Sequence, residues 1–202
     1  MGTIDMKKFL WTFILLGIII VSACKEDTVY TPKPRMFPKV DYPEKSYITF
    51  DQDYCAMKFQ MPAYAVVEKD TAFFDEKPAH PCWFDLYMKD FNGRLHFSYY
   101  PIEGQESYDK LVGDAFEFVE KHDIKANYRQ ETTIENKHGL SGILFDLEGP
   151  VASPIQFFLT DSTDHFIRAS VYFYNQVEPD SMAPIYDYIS EDVARIIETM
   201  SF

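Results

Sequence analysis

Apolar and polar residues change period several times along the chain, and each change marks an element. Cys55, Met57, Phe59 and Met61 alternate with Ala56, Lys58 and Gln60. That period of two predicts a strand ending at Pro62, in a fold that begins near Tyr47. Tyr64–Glu68 extends this strand or pairs with it, and residues 70–81, with Pro78 and Pro81, read as a loop. Cys82–Met88 and Arg94–Tyr100 are two strands joined around Asn92-Gly93, residues that favour the tight turn of a hairpin. Over Ser107–His122 the period becomes helical. Tyr108, Leu111, Val112, Ala115 and Val119 share one face, while Asp109, Asp114, Glu117 and Glu120 point away from it. Four strands follow at 126–135, 140–147, 155–160 and 165–174, with turns at Asn136–Gly139 and Asp161–Asp164. Pro179–Pro184 is a loop or a helix start. Ile185, Ile189, Val193, Ile196 and Met200 then recur every three or four residues and predict a C-terminal helix.

Two helices interrupting about seven strands, most of them in hairpins, indicate an α+β fold with a mostly antiparallel β-sheet flanked by the helices. The last strands carry apolar residues in both registers: Ile167, Ala169, Val171 and Phe173 against Phe166, Tyr172 and Tyr174. Such a sheet is expected to be covered on both faces. The order of hairpin, helix, meander and helix resembles the small α/β/α sandwich shared by Mog1 and PsbP, a likeness of fold that carries no chemistry.

The N-terminal residues read as an address. Met6-Lys7-Lys8 precedes a thirteen-residue apolar run, Phe9–Val21. That length suits a signal-peptide core and falls short of the ~20 residues that span a bilayer. The run ends in Val21-Ser22-Ala23-Cys24, which resembles a bacterial lipobox. Cleavage before Cys24 would leave a thiol to carry diacylglycerol and an amine to carry an acyl chain, together a firm membrane anchor. The expected organisation is a lipoprotein signal peptide over 1–23, a lipidated N-terminus and flexible linker over 24–46, and a single globular domain over 47–202. Pro32, Pro34, Pro38 and Pro43 mark the linker. Lys25-Glu26-Asp27 resembles the export signal of Bacteroidetes surface lipoproteins, although the start of an acidic linker accounts for it equally well. The expected location is therefore the cell envelope, on the periplasmic face or at the cell surface.

Charge narrows the functional classes. The chain carries a net charge of -13, which leaves no basic footprint for nucleic acid. The leader holds Lys7, Lys8 and Asp5, a net +1, so its removal leaves 179 residues at -14. Cys55 and Cys82, 27 residues apart in an exported chain, read as one disulfide; two buried thiols are the alternative. Two sulfurs without histidines at ligand spacing fall short of a metal site. None of His80, His96, His122, His138 and His165 stands at a metal-ligand interval from another, and His96, within a strand, reads as a satisfied structural imidazole. Asp161, Ser162, Asp164 and His165 suggest a hydrolytic cluster only superficially, because no GxSxG elbow precedes them and Asp and Ser are turn formers. Phosphate-binding glycine loops are absent. Carboxylate pairs such as Asp85 with Asp90, or Glu131 with Glu135, are explained by a solvated acidic face. No enzyme is expected, and no cofactor beyond the lipid on Cys24.

Longer strings carry a resemblance. Ala152-Ser153-Pro154-Ile155-Gln156-Phe157-Phe158-Leu159-Thr160-Asp161-Ser162 is similar to the gliding-motility lipoprotein GldD family of the Bacteroidetes. Cys82-Trp83, Leu95-His96-Phe97-Ser98-Tyr99, Lys121-His122, Asp164-His165-Phe166-Ile167-Arg168 and Ser181-Met182-Ala183-Pro184 fit the same family. The likeness runs from about Tyr30 to the C-terminus. It implies a membrane-anchored accessory of the gliding machinery and its associated type IX secretion system, with no catalytic set. The integral membrane protein GldE and sister lipoproteins are the partners it suggests. The physical expectation is a tethered interaction domain whose candidate surface comprises Tyr99, Tyr100, Asp164, His165 and Arg168. A sandwich that binds lipid or another small hydrophobic ligand between sheet and helix is the alternative.

Overall fold

The computed structural model describes residues 40–69, 78–174 and 179–202, with backbone alone for 179–181. The predicted leader, Cys24, the Lys25-Glu26-Asp27 stretch and most of the predicted linker lie outside these residues, as do residues 70–77. Nine strands and two long helices follow in order: β1 (Tyr47–Asp51), β2 (Lys58–Pro62), β3 (Val66–Lys69), β4 (Trp83–Met88), β5 (Gly93–Pro101), α1 (Gln105–Asp123), β6 (Tyr128–Glu135), β7 (Ser141–Glu148), β8 (Ile155–Thr160), β9 (His165–Phe173) and α2 (Pro179–Thr199). A 3-10 turn, Lys89–Phe91, links β4 to β5.

β3–β9 form one seven-stranded sheet in the order β3-β4-β5-β9-β8-β7-β6. Every neighbouring pair is antiparallel, as expected for α+β. The β4–β5 turn passes through Asn92, whose φ of 46° is the left-handed conformation that asparagine tolerates better than most residues. β5 and β9, distant in sequence, pair along nine residues at the centre of the sheet.

Both sheet faces are covered. On one face the even register of β4 (Phe84, Leu86, Met88) and the odd register of β5 (Leu95, Phe97, Tyr99) join Ile167, Ala169 and Val171 of β9. Ile185, Ile189, Val193 and Ile196 of α2 pack there, together with Phe50, Phe59 and Met61 from the β1–β2 hairpin. Stacked rings run through this layer: Phe50 on Phe84 at 4.5 Å and Phe84 on Phe97 at 4.7 Å. On the other face, Ala115 and Val119 of α1 pack on Phe145, Leu147, Phe158 and Phe166. These are members of the apolar stripe read from the sequence, at spacings of three and four.

The Cys55–Cys82 disulfide is formed, with Cα atoms 4.9 Å apart. It fastens the β1–β2 turn to the start of β4, so of the two readings open from sequence the structure selects the bond.

The linker expected to run free to residue 46 is tied down over its last residues. Val40 packs against the core, and Tyr42 lies against the rings of Tyr188 and Phe91. The Pro43 carbonyl accepts a hydrogen bond from Tyr188 Oη at 2.6 Å. Lys45 Nζ reaches Asp192 at 2.7 Å and lies 3.5 Å above the Tyr188 ring. Asp192, on α2 and 2% exposed, also accepts Tyr47 Oη at 2.8 Å and Tyr64 Oη at 2.5 Å. A buried carboxylate requires such partners, and they come from two stretches of chain, Lys45 with Tyr47 and, beyond β2, Tyr64. Burial and this carboxylate together push the Tyr47 hydroxyl up to about 12 and raise Tyr64 further.

Candidate functional site

The residues of the sheet face beneath α1 differ in kind from those beneath α2. Trp83, Asp85 and Tyr87 on β4, Arg94, His96, Ser98 and Tyr100 on β5, and Arg168, Ser170 and Tyr172 on β9 share this face by alternation. The register sets Trp83 opposite Ser98, Asp85 opposite His96 and Tyr87 opposite Arg94. It also sets Ser98 opposite Arg168 and His96 opposite Ser170. α1 packs on the β7–β8 side of this face, and Phe118, Lys121 and His122 near its C-terminal end line a gap over β4, β5 and β9. A cavity of about 630 Å³ results. Its walls are Trp83, Tyr100, Phe118, Tyr172 and Tyr174, and its polar groups include His96, Lys121, His122, Arg168 and Ser170.

Most charges around the cavity are matched. Arg94 pairs with Glu68 and, at 3.3 Å, with Asp85, and lies over the Tyr87 ring. His96 Nδ1 is 2.5 Å from Asp85 Oδ1, which places this imidazole in the structural role read from its strand position. Lys121 pairs with Glu117 one helical turn back at 2.9 Å. His122 Nε2 and Tyr172 Oη share a hydrogen bond of 2.9 Å, and burial holds the His122 ring below its ordinary pKa, favouring the neutral form. Burial likewise raises the Tyr100 and Tyr172 hydroxyls, an effect the neighbouring Arg168 opposes. Arg168 itself lies with its guanidinium 4.2 Å from the centre of the Phe118 ring and has no carboxylate partner among the described residues. In the wall behind Ser170, its cross-strand neighbour Gln156 is 2% exposed. The Gln156 Oε1 is buried and has no hydrogen-bond partner among the described residues.

The five residues expected to form one surface are divided by the sheet. Tyr100 and Arg168 meet in the cavity. Tyr99, the next residue from Tyr100, faces the α2 side and is 6% exposed, a correction that follows from strand alternation. Its hydroxyl is 2.7 Å from His165 Nδ1, and His165 stacks on Phe202. Asp164 is exposed in the β8–β9 turn. There Asp161 accepts backbone N–H groups from Thr163, Asp164 and His165 at 2.9–3.0 Å. Burial alone would raise the Asp161 carboxyl, but these donors hold it below the usual range. The turn is held by side-chain-to-backbone bonds, the role expected of Asp there.

Trp83, Phe118, His122 and Tyr172 did not emerge as a group from the sequence. Their signal was present in pieces. Phe118 and His122 stand at i and i+4 beside the apolar stripe of α1, and the second register of β4, β5 and β9 mixes rings with charges where a plain core face would be aliphatic.

A second depression of about 580 Å³ lies on the α2 side, lined by Asp146, Glu148, Tyr186 and Asp187 among others. Burial, and then Glu148, raise the Asp146 carboxyl. Among the described residues no basic side chain lines it, so the α1 cavity offers the more varied chemistry.

The family described as gliding motility lipoprotein GldD matches residues 27–202. The chain belongs to the GldD family. No curated protein matches it. GldD is a family of lipoproteins and not a known family of enzymes, so this chain is a gliding-motility lipoprotein held at a membrane of the cell envelope. Among the described residues no helix is long and apolar enough to cross a membrane.

Proposed function

We propose that this GldD chain is a non-enzymatic, lipid-tethered interaction component of the gliding motility machinery and its associated type IX secretion system. The family match across residues 27–202 carries the reading. Cys24 bears the lipid in this scheme, and confinement to a membrane plane raises the effective concentration of the domain near its partners. Envelope proteins of the same machinery, GldE or sister lipoproteins, are the proposed partners. Ile124 and Tyr128 support a docking role, being 84% and 54% exposed where α1 runs into β6. β6 ends the sheet, and an edge strand offers backbone groups to a partner.

The test is a clean deletion in the native host, complemented by wild type, by Cys24→Ala and by Ile124→Asp/Tyr128→Asp. Spreading and secretion of cargo with type IX signals are the readouts, with protein level checked by blot. Wild type is expected to restore both processes and the two variants to fail at normal abundance. Normal spreading and secretion in the deletion strain would refute the reading.

The cavity favours a second reading, in which the domain holds a small ligand between sheet and helix. Its volume lies within the range of small-molecule sites.

A further inference from the structure

We propose that the cavity between α1 and strands β4, β5 and β9 binds an amphipathic organic anion, with its apolar body against the rings and its carboxylate or phosphate on Arg168. The assignment deepens the ligand-holding reading and does not depend on the machinery role.

Three observations carry it. The first is size and lining: about 630 Å³ walled by Trp83, Tyr100, Phe118 and Tyr172. That volume suits a drug-sized body, and aromatic rings supply contact area at little entropic cost.

The second is the charge ledger of this face. Arg94, His96 and Lys121 each have an acidic neighbour within 3.3 Å. Arg168 has the Phe118 ring and the Tyr100 and Tyr172 hydroxyls as neighbours, and no carboxylate partner among the described residues. A chain of net charge -13 is rich in carboxylates, yet none of those described is placed on this guanidinium. A half-buried cation beside apolar rings is best satisfied by an anion.

The third is geometry. The Arg168 guanidinium lies 4.2 Å from the Phe118 ring centre, and its planar set of N–H donors matches a carboxylate or phosphate two bonds at a time. Ser98 lies opposite Arg168 in the register, and Ser170 is two residues along on the same face. Their hydroxyls place neutral polar groups on the same face as the cation, with Ser98 bonded to the Tyr100 hydroxyl. Asp85, the one carboxylate among the described lining residues, is engaged by Arg94 and His96 and does not compete.

The experiment is calorimetric titration of naphthoate, and of uncharged naphthylmethanol, into the full lipoprotein in lipid nanodiscs, with empty nanodiscs as blank. Wild type is expected to take up naphthoate saturably. Arg168→Gln should weaken naphthoate by at least about tenfold, the scale of one charge-assisted contact, and leave naphthylmethanol unchanged. Ser98→Trp, which fills the cavity, should abolish both. Circular dichroism checks that each variant is folded, and Arg168→Gln breaks no ion pair among the described residues. Equal naphthoate affinity in wild type and Arg168→Gln, or no saturable uptake by wild type, would overturn the proposal. Native mass spectrometry of the lipoprotein from its host separates the sources. An anionic lipid or a free organic acid in the cavity would support the proposal, and an uncharged occupant would overturn it. Binding is read on purified protein, so failure of the motility reading leaves this result intact.

Discussion

Asp192 offers the sharpest test of how the domain is held together. Its carboxylate is 2% exposed and accepts from Lys45 at 2.7 Å, Tyr47 at 2.8 Å and Tyr64 at 2.5 Å. Hydrogen bonds to a charged group contribute about 1.5–3 kcal/mol each, a gross gain of roughly 5–9 kcal/mol for three. Burying the carboxylate costs several kcal/mol in return, and removing one member of such a cluster typically costs about 3–5 kcal/mol. Asp192→Ala should therefore lower stability by about 3–5 kcal/mol, or Tm by roughly 6–20 °C for a chain of this length. Asp192→Asn keeps the shape and one acceptor and should cost about half as much. Urea denaturation, followed by circular dichroism with the m-value checked for constancy, measures both. A double-mutant cycle with Lys45→Met isolates the contribution of the incoming segment. A loss below about 1 kcal/mol for Asp192→Ala, or no coupling to Lys45, would show that the cluster is ornamental and that apolar packing alone fixes α2.

Three further outcomes follow from the geometry. Replacing both Cys55 and Cys82 by alanine opens a 27-residue separation and should cost about 3.6 kcal/mol by loop entropy, measured as a denaturation midpoint with and without reductant. His122 is held below its ordinary pKa by burial, so its contribution to stability is present above about pH 6.5 and is lost as pH falls through that value and below it. His122→Gln should flatten the denaturation midpoint against pH across that window, and an unchanged slope would contradict the assignment. A Cβ at Gly142 would run into the Phe158 backbone carbonyl. Gly142→Ala should thus cost about 3 kcal/mol or more, read as lost soluble yield and lowered Tm.

The elements were legible because the apolar period was clean. The stripe Leu111, Val112, Ala115 and Val119 gave α1, and the alternation Leu95, Phe97 and Tyr99 gave β5. Turn chemistry at Asn92 and Asp161 placed two hairpins correctly. The candidate site was legible only in part, because it depends on which strands become neighbours. Arg168 meets Trp83 and Tyr100 only through the β5–β9 pairing, which joins residues about 70 apart in sequence and leaves no local signature. Tyr99 and Tyr100 read as a pair along the chain, yet alternation sends them to opposite layers. The docking of residues 40–46 was hidden for a related reason. Prolines and charges there look like linker, and only the fold shows that Lys45 has a carboxylate to reach.

That docking bears on how the domain would carry tension. The incoming chain is clasped by α2, at Tyr188 and Asp192, on the sheet face opposite the cavity. A pull on residue 40 would meet this clasp first, with several contacts sharing the force. The strands that shape the cavity belong to a sheet layer packed from behind by α2. Were the chain tethered through the proposed lipid on Cys24, tension would meet the α2 clasp before it reached the cavity on the opposite sheet face.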